Sequence, residues 1–102
     1  MRAVFATRAE LDVYEIVERI ARDDLVVALR WGQRIADRAD LAARMPRSGR
    51  MVPEYNRADV REVFVGTYRV IYRVERTMIF VLSVFEGSMR LPWDLDPDEP
   101  VP

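Results

Sequence analysis

The sequence predicts an α+β domain in which a helical hairpin covers one side of an antiparallel sheet, in the order β-α-α-β-β-β. Three observations carry that prediction. Helical periodicity occupies two stretches within residues 8–44, the pattern changes to strands from Val60 onward, and a chain of 102 residues, 50% of them hydrophobic, is enough for one compact core. A sheet with an apolar face has to be covered, so the helical hairpin is placed against it.

Residues 3–7 read as a short strand, and Thr7 with Glu10 three residues later forms a capping-box pattern that announces a helix. This helix runs to about Arg22, with Val13, Ile16, Val17 and Ile20 at i, i+3, i+4 and i+7 on one buried stripe. Asp23-Asp24 interrupts the pattern and offers an N-cap for a second helix, which continues to Arg44 and stops at Met45-Pro46. Ala28, Trp31, Ile35, Ala39 and Ala42 keep to one side of that helix, so Trp31 reads as core rather than as a ligand-stacking residue. Gly32 lies in its interior, where glycine costs about 1 kcal/mol relative to alanine. A close approach by the first helix accounts for it.

Residues 46–59 form a loop of turn formers without periodicity. Val60 to Val65, Gly66-Thr67 and Tyr68 to Val74 then make a hairpin, because a two-residue Gly-X turn matches the twist of the flanking strands. After a second turn at Glu75-Arg76-Thr77, Met78 to Phe85 is the most apolar stretch of the chain and reads as a central strand. These three strands make an antiparallel meander. Beyond Arg90, four prolines fall within residues 91–102 and leave no room for a helix or strand. The expected organisation is a folded domain over residues 1–91 and a disordered, Pro-rich acidic tail over residues 92–102.

All 16 basic residues are arginine, against 17 acids. The tail residues Asp94, Asp96, Asp98 and Glu99 leave the rest of the chain with a balance of +3. With no cysteine and no histidine, disulfides and thiolate or imidazole metal sites are excluded, and neither a metal nor another cofactor is expected. No apolar run is long enough for a membrane span or a signal peptide, so a cytoplasmic protein is expected.

Several segments together resemble the RelE/ParE family of toxins from bacterial type II toxin–antitoxin modules. They are Ser48-Gly49-Arg50-Met51-Val52-Pro53-Glu54, then Val60-Arg61-Glu62-Val63, then Tyr68-Arg69-Val70-Ile71-Tyr72-Arg73-Val74, then a valine-rich strand ending in a glycine and an arginine. The resemblance spans roughly residues 8–91. It implies a small toxin neutralised by a cognate antitoxin, whose partly disordered segment wraps it as a helix or strand. It also implies one of two targets. RelE-type members cut mRNA in the ribosome, whereas ParE-type members inhibit DNA gyrase without being enzymes.

RNA cleavage needs groups that take and give protons as well as groups that stabilise the phosphorane, and arginine suits only the second task. Arg61, Arg69 and Arg90 match three of the basic positions in the RelE pattern. Val63 stands where another basic residue belongs, no tyrosine follows Tyr72, and histidine and lysine are absent. The chain therefore resembles the ParE side more closely, and no catalytic residue is assigned. An mRNA endonuclease of the RelE type and an inactive orphan that only binds an antitoxin-like partner remain as alternatives.

Strand alternation places Arg69 and Arg73 opposite Tyr68, Val70 and Tyr72. With Arg61 and Arg90 they would form a basic patch for the target on an open sheet face. The alternative is that they pair with Glu54, Glu62 and Glu86. Leu25, Val26 and Leu29 on the outer side of the second helix are the expected antitoxin contacts. The acidic tail could fold back onto the basic patch with Trp93 as its anchor, or remain free.

Overall fold

The computed structural model describes all 102 residues. Strand β1 (Arg2–Phe5) leads into helix α1 (Thr7–Ala21) and helix α2 (Leu25–Arg44), and strands β2 (Arg50–Met51), β3 (Val60–Val65), β4 (Tyr68–Val74) and β5 (Met78–Glu86) follow. The five strands form one sheet in the order β1-β5-β4-β3-β2. The expected meander is β3-β4-β5. Two features were not anticipated. The short β2 extends the sheet at one edge by pairing with β3, and β1 closes the other edge by pairing in parallel with β5, Arg2 opposite Met78.

Capping explains where the helices start. Asp24 is the N-cap of α2, and its side chain accepts from the Val27 amide at 3.1 Å, as Asp-Asp before an apolar stretch predicts. The capping box at Thr7 does not form. Ala6 is the N-cap of α1 and Thr7 is already helical, because the Ala6 amide still continues the strand by donating to Val81 O at 2.9 Å. The helices meet closely at Gly32, where an added Cβ would lie 3.2 Å from Val17 Cγ2. The β3–β4 hairpin turns at Gly66, whose φ of 57° is a conformation that favours glycine. Trp31 from α2 packs there, edge-on to Tyr68 with ring centroids 5.4 Å apart.

Both faces of the sheet are covered. The helix side holds the larger core, in which Ile16, Ile35 and Ala39 meet Val70, Tyr72 and Val81. On the far side, Val52, Val60, Ile71, Phe80 and Leu82 enclose Leu95 of the C-terminal segment. This second core corrects the expectation of a disordered tail. Residues 92–102 form no helix or strand, as the prolines require, yet they pack on the sheet. A register shift between Ile71 and Tyr72 passes over Leu82 on β5 and leaves that leucine in the second core.

Candidate functional site

Edge-to-centre pairing of β2, β3 and β4 decides where the arginines go. Cross-strand partners share a face, and Arg69 lies opposite Phe64, Arg73 opposite Val60 and Ile71 opposite Glu62. All of these belong to the tail side. Arg61 lies opposite Tyr72, whose ring is in the helix-side core, so it projects to the other face. The basic patch expected from Arg61, Arg69 and Arg73 on one open face is therefore not assembled: the face is covered and the register separates the residues.

What forms instead is an ion network with a buried centre. Glu62, whose side chain is fully enclosed, accepts from Arg69 Nε at 2.8 Å and Nη2 at 2.5 Å through one oxygen, and from Arg50 Nε through the other. Arg69 also reaches both oxygens of Glu54, at 3.3 and 3.4 Å, and its guanidinium lies over the Phe85 ring. Glu62 and Arg69 form the enclosed pair, and Arg50 and Glu54 complete it from the surface, with side chains 60% and 42% exposed, so the buried charges are matched one to one. Burial pulls the Arg69 pKa down, but its hydrogen bonds to Glu54 and Glu62 outweigh that and the net shift is upward. The hydrogen bond from Arg69 holds the Glu54 carboxyl below its ordinary range.

Arg73 is committed elsewhere, donating to Glu75 at 2.5 Å and to the Pro97 carbonyl at 2.9 Å. Arg61 binds three carbonyls, those of Ala58, Gly49 and Arg47, at 2.9, 2.9 and 3.3 Å, and so ties both ends of the loop before β3 together. The Tyr72 hydroxyl donates to Pro46 O at 2.7 Å, and burial raises its pKa. Of the four candidate arginines, Arg90 alone is exposed without a protein partner. The pairing with Glu54 and Glu62 is thus realised for Arg69; Glu75 takes the place of Glu86 for Arg73.

The segments that carried the family resemblance are the parts of this network. Arg50, Glu54, Arg61, Glu62, Arg69 and Tyr72 weld the loop over residues 46–59 onto the sheet, and Val52 is its apolar plug. The signature is therefore architectural as it stands in this chain.

The outer surface of α2 is the opposite case. Leu25, Val26 and Leu29 are 61%, 58% and 59% exposed, together on the first turns of the helix. Sequence reading did not single out Leu11 and Tyr14 of α1, which are also exposed. Their signal was available, since both fall outside the Val13, Ile16, Val17, Ile20 stripe. In the tail, Trp93 is 96% exposed and anchors nothing, whereas Leu95 is buried.

Two helices on a mostly antiparallel five-stranded sheet, with an Arg-Glu network holding the connecting loop, define a small two-layer α+β domain. A solved structure titled "Chromosomal ParDE TA system from P. aeruginosa" has this fold, with a TM-score of 0.69, 18% identity, and coverage of 84% of this chain and 95% of that one. The family model described as the ParE toxin of the type II toxin-antitoxin system, parDE, matches residues 3–91, and the chain belongs to that family. No curated protein matches the sequence significantly. No helix is long and apolar enough to cross a membrane.

Proposed function

We propose that this ParE-family toxin acts in the cytoplasm by inhibiting DNA gyrase, without catalytic chemistry of its own, and that a cognate antitoxin neutralises it. The observation that carries this reading is the fate of three groups a nuclease could use. Glu62 is enclosed with both oxygens taken by arginines, Arg69 is locked to two carboxylates, and the Tyr72 hydroxyl is buried and donates to a carbonyl. None is free to meet a 2′-hydroxyl or a leaving oxygen. Target contact falls to Arg90 and the half-exposed Arg61 rather than to Arg69 and Arg73.

Antitoxin contact falls to Leu25, Val26 and Leu29. Three large aliphatic side chains left together in water on one helix end suit the apolar face of a partner segment, and covering them would stabilise the complex. The decisive experiment compares two assays of the purified protein. Loss of gyrase supercoiling with intact mRNA on translating ribosomes is expected; cleaved mRNA with unaffected supercoiling would overturn the proposal.

A further inference from the structure

The tail side of the sheet is built like a receptor for an acidic peptide folded into turns. Its centre is the apolar socket of Ala6, Val52, Val60, Ile71, Phe80 and Leu82, which takes Leu95. Around the socket stand three guanidiniums, each meeting a different tail residue. Arg8 pairs with Asp94 at 2.8 Å, Arg73 donates to the Pro97 carbonyl at 2.9 Å and Arg57 donates to Asp98 at 2.8 Å. The Tyr55 hydroxyl adds a long bond to Leu95 O at 3.4 Å.

The occupant is held by side chains of the body alone. No backbone–backbone hydrogen bond joins residues 92–102 to the sheet or helices; the backbone bonds within the segment run from the Leu95 amide to Pro92 O and from the Glu99 amide to Asp96 O. It also fills the groove incompletely, leaving a cavity of about 170 Å³ between Ala6, Arg8 and Leu82 of the body and Asp94, Leu95, Asp96 and Glu99 of the tail. A segment fixed in this way can leave without breaking the sheet. Its advantage over a free peptide is the tether, which supplies an effective concentration in the millimolar range.

We propose that this face is a docking groove for a partner protein's acidic, leucine-bearing segment that folds into turns, and that the chain's own tail occupies it in cis. Specificity follows from the contacts: one aliphatic side chain for the socket, with carboxylates before it for Arg8 and after it for Arg57. The groove is separate from the exposed leucines of α2, so the proposal stands apart from the assignment of antitoxin and target.

The test uses the full-length protein carrying Leu95→Asp, which expels the tail from the socket, and a fluorescent synthetic peptide of residues 91–102. The peptide should bind this variant at least tenfold more tightly than the wild-type chain. A peptide with Leu95→Asp should not bind, and one with Asp94→Asn and Asp98→Asn should bind about tenfold more weakly and with less dependence on salt. If the variant loses its cooperative melt, Leu95→Ala takes its place with the same readout. A folded variant that does not bind the unaltered 91–102 peptide, or binds a scrambled peptide equally well, would overturn the proposal.

Discussion

The outer surface of α2 and the tail side of the sheet carry opposite combinations of polarity and exposure. On α2, leucines and a valine face water with no covering element, while on the tail side of the sheet Glu62 and Arg69 are enclosed and paired. Solubility argues against the first arrangement and desolvation against the second. A structural charge is recognised by complete pairing, and a binding surface by apolar groups left uncovered. In this domain the uncharged α2 patch is the antitoxin candidate, the enclosed Glu62–Arg69 pair is scaffold, and Arg8 and Arg57 at the rim of the tail groove hold a segment that can be exchanged.

Separate substitutions in each region should break or sharpen that contrast. The largest effect is expected on α2. Replacing Leu25 and Leu29 with aspartate should weaken antitoxin binding a hundredfold or more, since each buried leucine contributes about 1.5–3 kcal/mol. Calorimetric titration would measure it, and the melting curve of the isolated toxin should stay within about 0.5 kcal/mol of wild type. An unstable variant would mean that α2 buries these residues in the toxin itself.

On the tail side of the sheet the expected pattern reverses. Glu62→Ala should cost about 3 kcal/mol of folding stability, because it strips Arg50 and Arg69 of their enclosed acceptor. Urea titration would measure this. Leu95→Ala comes next, at no more than about 2 kcal/mol, the low end for truncating a leucine, because the tail can release instead of surrounding a void.

The smallest effect is a pH dependence. Glu54 is held below its ordinary pKa by the hydrogen bond from Arg69, and Asp59 by that from Arg57. With folded values depressed, the unfolded chain takes up protons first, so this stability is intact above an ordinary carboxylate pKa of about 4 and is lost as pH falls through the lower folded values. Denaturation midpoints should decline below that pH, and Glu54→Gln should flatten the decline.

Much of the fold was legible because its signals are local. Asp24, Gly32, Gly66 and the apolar stretch of β5 each state their role within a few residues. The placement of the arginines was not legible, because it depends on register: knowing that Arg61 and Arg69 both lie on strands does not reveal that one faces Tyr72 and the other Phe64. The tail misled for a different reason. Proline and acid content correctly excluded regular structure, but irregular chain can still be ordered by one buried side chain and a few ion pairs. The available signal was the spacing of Leu91, Leu95 and Val101 among carboxylates, set against a body of net positive charge. Trp93 drew attention through size, although its neighbours offer it no apolar surroundings.

The parallel pairing of β1 with β5 bears on how a cell makes this protein. Arg2 and Met78 are partners in the sheet but 76 positions apart in the chain, so the first strand leaving the ribosome waits for the last. At about 5–20 residues per second that interval is several seconds, during which β1 and the helices have no finished sheet to rest on. Closing so long a loop is slow relative to forming the helical hairpin. The nascent chain thus lacks its finished surface until β5 has been translated.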